Sequence, residues 1–334
     1  MHISKELVVA IEGNFGMKDF NERIDEKRKH LFNPNFPTEY KQNCDTIDDI
    51  QELKNGEYCT NVSGVEFKFL LQKKNSDYLY VFLNGAAGFE SDEKSKYRRW
   101  SWGNLVDANI LNILDPMYFK YDNLPIGWYY GEKNLDYRQL MAELIKKIAD
   151  KLGVVHSKIV LYGSSAGGTA ALYSAHYIPG CTVVALNPQV RLWKHEWHEE
   201  FKKIVGIDSE DEDVFHRNDI AWHIDNSKDC KFMFIVNCRS RRDFNWQLIP
   251  LAQRYNFVVN YGLNNYNNIY TWVFDTGIVD KHTALEYPAV FISIDNIVRK
   301  INKGCSMSEL NDMVLLTNEF WRDHWELMNG KDKQ

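Results

Sequence analysis

Residues 159–172 read IVLYGSSAGGTAAL: a hydrophobic run, two serines between glycines, then a stretch of small residues. Gly163-Ser164-Ser165-Ala166-Gly167 matches G-x-S-x-G with Ser165 at its centre. That pattern is common by chance, and its meaning comes from context: a strand directly before it and a helix directly after it. Both are expected here. In so tight a turn, a side chain at either flanking glycine would strike the strand or the helix. Gly168, Thr169, Ala170 and Ala171 keep the following helix slim enough to lie close against a sheet. The start of that helix would aim free N–H groups and the positive end of its dipole at the serine oxygen. A phosphate-binding turn fits less well, because the Lys-Ser/Thr of a P-loop is missing and the dinucleotide glycine pattern is out of register.

Working outward, GVEFKFLLQ (64–72) alternates as a half-buried strand does, and YLYVFLNG (78–85) and ANILNILDP (108–116) read as strands buried on both faces. In YRQLMAELIKKIADKLG, residues Leu140, Leu144, Ile145, Ile148 and Leu152 share one helical face, with Gly153 as the cap. SKIVLY, TVVALN, KFMFIVNC and NFVVNYGL (256–263) are further strand-like runs, and FNWQLIPLAQRY is helix-like. Apolar strands alternating with amphipathic helices predict an α/β fold built on a doubly wound, mostly parallel sheet. From 189 to 229 the chain is polar and aromatic with no strand pattern. Such an insertion is either a helical cap over the site or an ordinary connecting helix and loop. The expected organisation is an N-terminal segment over 1–60, a domain over 61–305 with the possible cap at 189–229, and a C-terminal helical tail over 306–334. FNERIDEKRKHLF (20–32) looks helical without an evident role.

The strand–turn–serine–turn–helix pattern resembles the α/β-hydrolase superfamily, over roughly Tyr78 to Asn302. That resemblance implies an oxyanion loop after an earlier strand and the chain order serine, acid, histidine. Asn84-Gly85-Ala86 stands where the oxyanion loop belongs, with asparagine in place of the commoner histidine. The N–H groups of Ala86 and Ala166 would then bind the anion formed when Ser165 attacks a carbonyl. Asp243, just past KFMFIVNC, is the expected acid, or else a helix cap. Asp229 precedes that strand, and Asp275 and Asp280 follow the last core run. Of the ten histidines, His282 alone falls after the last core run and before the next helix. His195 and His198 do not form a zinc motif, because HEWHE is one residue too short for H-E-x-x-H. In these roles His282 deprotonates Ser165, Asp243 fixes the tautomer, and an acyl-enzyme forms with no metal or bound cofactor.

Composition narrows the partners. With 334 residues and a net charge of −6, the chain has the bulk of a globular protein and no basic excess for nucleic acid. Six scattered cysteines without paired spacing suggest reduced thiols, and MHISKELVVAIEGNF has too short an apolar core for a signal peptide or a span. A cytoplasmic protein with no membrane span is expected. Aromatics make up 14% of the chain. YRRWSW (97–102) and LPIGWYYGE (124–132) offer Arg98 and Arg99 for anionic groups and Trp128 for the apolar face of a sugar, although such residues also serve as surface charges and core aromatics. RSRRDF sets three further arginines beside Asp243.

The Asn-Gly loop, the LDP strand end, GWYYG, GSSAGG and the KH loop are similar to those of bacterial capsular polysaccharide O-acetyltransferases of this fold. That narrower resemblance rests on short motifs. It implies acetyl transfer from acetyl-CoA to a capsule sugar. A carboxylesterase or carbohydrate deacetylase would share every catalytic residue, and a non-catalytic scaffold would keep the sheet and glycines.

Overall fold

Apolar runs pair into strands throughout the computed structural model, which describes residues 41–86, 97–207, 216–274, 282 and 288–311. The strands are β1 (Lys41–Cys44), β2 (Gly56–Val62), β3 (Val65–Gln72), β4 (Leu79–Leu83), β5 (Asn109–Ile113), β6 (Gly131–Glu132), β7 (Leu135–Asp136), β8 (Ile159–Ser164), β9 (Thr182–Leu186), β10 (Lys231–Asn237), β11 (Gly262–Tyr266) and β12 (Ile269–Phe274). Apart from the small β6–β7 pair, they form one ten-stranded sheet in the order β1-β2-β3-β5-β4-β8-β9-β10-β12-β11. All neighbours run parallel except β2/β3, β3/β5 and β11/β12. Among the described residues, the helices are α1 (Met117–Lys120), α2 (Tyr137–Leu152), α3 (Ala166–Ser174), α4 (His198–Val205), α5 (Ile220–Asp225), α6 (Arg241–Asp243), α7 (Ile249–Arg254), α8 (Pro288–Asn302) and α9 (Met307–Asn311).

The central strands β4, β5, β8 and β9 are buried along their whole length, which is why they are largely apolar on both faces rather than at alternate positions. Successive residues supply opposite layers. Leu79, Val81, Leu83, Leu161 and Val183 pack with Leu144 and Ile148 of α2 and Ala170 of α3. Tyr80, Phe82, Val160, Tyr162 and Val184 pack with Phe291, Ile294 and Ile297 of α8 on the other face. The sheet is therefore doubly wound and mostly parallel. Helix α2 starts on Asp136, whose carboxylate accepts the Arg138 N–H, and stops at Gly153, which takes φ +70°.

Residues 41–60, within the expected N-terminal segment, contribute β1 and β2 to the sheet, and Tyr58 of β2 stacks flat on Phe69 of β3 with ring centres 5.0 Å apart. At the other boundary, Leu310 of the expected tail is buried against the α8 layer. NFVVNYGL is not a strand throughout. Residues 256–261 are irregular, and the last core strand is β12, joined to β11 by a tight turn in which Asn267 adopts φ +60°. The segment 20–32 and the tail beyond 311 lie outside the described residues.

Glycines differ sharply in what they tolerate. A Cβ on Gly167 would come within 2.7 Å of the Asn84 carbonyl oxygen, whereas one on Gly153 would meet nothing within 4 Å. Gly167→Ala is expected to destabilise the fold by about 3 kcal/mol or more, against about 1–2 kcal/mol for Gly153→Ala, measured by chemical denaturation.

Candidate active site

Strand β8 ends by delivering Ser165 in a conformation that L-residues rarely adopt, φ +50° and ψ −123°. The turn is held on both sides. Ser165 N–H donates to the Leu186 carbonyl at 2.9 Å, and its own carbonyl accepts the Thr169 N–H at 3.0 Å. There is no room beside it: a Cβ on Gly163 would lie 2.7 Å from the Gly168 nitrogen. The result is a half-buried serine at the C-terminal edge of the sheet, with the N-terminus of α3 behind it. Ala166 is the first residue of that helix and is buried. Gly85 sits against the turn, where a Cβ would touch Ser165 Cβ at 3.7 Å. That brings the Asn84-Gly85-Ala86 loop alongside the serine, with Ala86 half-buried.

The acid and the histidine meet. His282 Nδ1 lies 2.9 Å and 2.8 Å from the two carboxylate oxygens of Asp243. Asp243 is buried, and Ser240 Oγ donates to its Oδ2 at 2.5 Å. Ser240 is also the N-cap of α6, so the carboxylate is spared that task. The strand ends are pegged beneath: Asn187 Oδ1 accepts the Asn237 N–H at 3.0 Å, and Asn237 Oδ1 accepts the Arg239 N–H at 3.0 Å. Ser165 follows β8, Asp243 follows β10 and His282 follows β12. Because these strands and the intervening β9 run parallel, all three emerge at one edge of the sheet. Asp275 and Asp280, the competing acids, lie outside the described residues.

The residues expected to touch substrate divide. Arg98 is exposed. Arg99 turns inward at φ +65°, where its guanidinium donates to Ser164 Oγ at 2.8 Å and to the Leu83 carbonyl at 3.3 Å. Trp128 is fully buried and cannot stack on a ligand. Its indole N–H donates to Gln189 Oε1 at 3.1 Å, and Gln189 Nε2 in turn donates to Ser165 Oγ at 3.2 Å. The next residue, Tyr129, braces the Asn84-Gly85-Ala86 loop: its hydroxyl accepts the Asn84 N–H at 2.9 Å and donates to the Ile113 carbonyl at 2.8 Å. Trp128 and Tyr129 both adopt positive φ, 52° and 53°, and the strained pair is tied down by Asp115. Asp115 accepts the N–H groups of Tyr129 and Met117 at 2.9 Å and 3.0 Å. Burial pushes its carboxyl up to about 7, outweighing those two donors. Gly127 leaves the space for it, since a Cβ there would come within 2.8 Å of Met117 Cβ.

The described part of the 189–229 segment carries helices α4 and α5, and α4 packs against Trp128 and Tyr130. Phe201 of α4 packs edge-on against Trp128 and Tyr130, with centroids 5.2 Å and 5.3 Å away. The His195 ring meets Trp128 at 5.4 Å, and burial lowers its pKa to about 4, so it stays neutral near pH 7. Its Nδ1 accepts the Trp197 N–H at 3.2 Å, which puts the proton on Nε2. Glu196 pairs with Arg242, beside the acid, at 2.6 Å. Deeper, buried Arg138 lies 3.4 Å from Asp136 and donates to the Arg217 carbonyl at 3.1 Å, which knots the far end of the insertion to α2. Sequence reasoning missed the aromatic residues exposed here. Trp193 and Trp197 of the insertion are each 38% exposed, and Trp246, three residues past Asp243, is 42% exposed. Their neighbourhood in sequence to His195 and Asp243 was the available signal.

No family model matches the chain, and no curated protein sequence does. Solved structures do. Esterase B from Lactobacillus rhamnosis, solved with a tributyrin phosphonate, superposes with a TM-score of 0.51 at 10% identity, covering 93% of this chain and 100% of that one. A mutant capsule O-acetyltransferase of Neisseria meningitidis serogroup A in complex with CoA gives 0.50 at 17% identity, covering 76% and 100%. A glycosylation-associated protein complex from Streptococcus agalactiae gives 0.48 at 17% identity, and the match spans 64% of this chain but 41% of that one. Sheet order, serine elbow and the first two likenesses agree: the chain has the α/β-hydrolase fold. No helix among the described residues is long and apolar enough to cross a membrane.

Tyr129→Phe removes the hydroxyl that accepts the Asn84 N–H and donates to the Ile113 carbonyl, and is expected to cost about 1–3 kcal/mol in chemical denaturation. Asp115 gives a pH signature. Its folded pKa lies above the unfolded value of 3.8, so the folded state holds the extra proton between about 4 and about 7. The carboxyl's contribution to stability is present below that window and is lost as pH rises through it. In Asp115→Asn this component is absent, so the Tm difference between wild type and variant is expected to shrink as pH rises from 5 to 7, followed by thermal melts.

Proposed function

We propose that this chain is a serine-dependent acyltransferase in which Ser165, His282 and Asp243 act as a catalytic triad. The observation that carries the reading is the pairing of His282 Nδ1 with Asp243 at the same sheet edge as a serine held at positive φ. Asp243 keeps the Nδ1 proton in place, so Nε2 is the basic nitrogen. It takes the Ser165 hydroxyl proton as Oγ bonds to the acyl carbon. The N–H groups of Ala86 and Ala166 receive the negative charge on the carbonyl oxygen. The leaving group departs with the proton from His282. An acceptor hydroxyl then gives its proton to His282 and attacks the acyl-enzyme, and Ser165 regains its proton as the new ester leaves.

The donor we propose is acetyl-CoA, and the acceptor a hydroxyl of a bacterial surface (capsular) polysaccharide, acetylated inside the cell. The capsule O-acetyltransferase named above, solved with CoA, shares the fold and motivates the donor. Exposed Trp193, Trp197 and Trp246 supply apolar faces suited to sugar rings, the part first expected of Trp128. Arg98 supplies an exposed positive charge for CoA phosphates or an anionic glycan.

Incubation with acetyl-CoA and candidate capsular glycans is expected to yield an acetylated glycan by mass spectrometry. Release of free acetate without any dependence on CoA would instead mark an esterase or carbohydrate deacetylase. Ser165→Ala is expected to lower transfer by about a thousandfold or more, while stability changes by about 1 kcal/mol or less. A fluorophosphonate probe is expected to label Ser165 in the wild type. A folded protein whose Ser165 ignores the probe would be a non-catalytic scaffold.

A further inference from the structure

We propose that Gln189 is a catalytic residue of this site: its side-chain amide donates to Ser165 Oγ and stabilises the charge that oxygen carries when it attacks and when it leaves. The proposal rests on the reading of Ser165 as nucleophile. Gln189 lies just past β9, next to the elbow, and is 3% exposed. Its Nε2 is 3.2 Å from Ser165 Oγ.

The direction of that hydrogen bond follows from its other end. Gln189 Oε1 faces the indole N–H of Trp128 at 3.1 Å, and an indole N–H can only donate. The amide therefore cannot be flipped, and its NH2 group must face the serine. The backbone fixes the same geometry independently. Gln189 N–H donates to Thr169 Oγ1 at 2.8 Å, and Thr169 stands one turn into α3, below Ser165. A glutamine serving only to hold this loop would be complete with those contacts. This one also turns its side-chain NH2 on the reacting atom, and two buried residues keep it there.

The chemistry gives the contact a purpose. As Ser165 attacks, its proton goes to His282 Nε2 and an Oγ lone pair forms the bond to the acyl carbon. In the second half-reaction the C–Oγ bond breaks, the electron pair returns to Oγ, and His282 returns the proton. In each transition state Oγ is more negative than in the hydroxyl or the acyl ester, where the ester oxygen is a weak acceptor. A donor held against Oγ is thus strongest where the barrier is highest, which is the condition for lowering it.

The test is the rate at which a fluorophosphonate modifies Ser165, read by intact-protein mass spectrometry in wild type, Gln189→Glu and Gln189→Met. Gln189→Glu keeps the side chain's size and an acceptor oxygen for Trp128 but replaces the amide NH2 with a carboxyl oxygen. Gln189→Met removes the donor without adding charge. Both are expected to lower the first-order modification constant about tenfold or more, with the probe's binding constant changed by about twofold or less. Folding is checked by near-ultraviolet circular dichroism. A wild-type constant in a folded Gln189→Met protein overturns the proposal, including when Gln189→Glu is slow, because only charge would then matter. A folded wild type that resists the probe overturns the nucleophile reading and this one with it.

Discussion

The approach of α3 to the end of β4 is the constraint on which the site depends. Gly167 lies so close to the Leu83 and Asn84 carbonyls, and Gly163 to the next turn of α3, that no side chain fits between them. Closing that gap bends the chain at Ser165 into positive φ and lifts the hydroxyl at the rim of the sheet. The same closure draws the Asn84-Gly85-Ala86 loop against the serine. One steric fact thus sets both the proposed nucleophile and the loop proposed to hold the developing anion.

The loops that complete the site are irregular but not loose. Each is fastened by a buried polar group: Asn187 to Asn237 under the acid, Ser240 to Asp243, and Asp115 to the Tyr129 N–H. The segment from Gly127 to Tyr130 does two jobs with adjacent residues, Trp128 aiming Gln189 and Tyr129 clamping Asn84. Two consecutive side chains at positive φ are costly, and they persist because burial and hydrogen bonds over-determine them.

Much of this was legible in the sequence because it is local. The strand–glycine–serine–glycine–helix pattern around Ser165 needs no tertiary information, and the chain order implied by the α/β-hydrolase resemblance pointed to Asp243 and His282, whose side chains lie within hydrogen-bond distance. What stayed hidden depends on partners distant in sequence. Trp128 reads as a ligand platform until α4 and its Phe201 are seen to cover it. Arg99 and Arg98 are indistinguishable by type, and only the backbone turn at Arg99 sends one guanidinium under the elbow and leaves the other in water. Gln189 has no motif at all. Its importance arises from lying past β9, beside the serine, which requires the strand order. Strand β12 is not among the strand-like runs read from the sequence; its place as the last core strand comes from pairing with β10 on one side and β11 on the other.

The hairpin that closes the sheet beyond β12 also bears on how the molecule behaves in a crowd. A parallel sheet ending on β12 would present an apolar strand with unpaired backbone groups, ready to add another chain. Strand β11 covers it with five residues, GLNNY, short and amide-rich. Its outer edge offers little to extend, so the core strand that leads toward His282 is kept from seeding edge-to-edge aggregation.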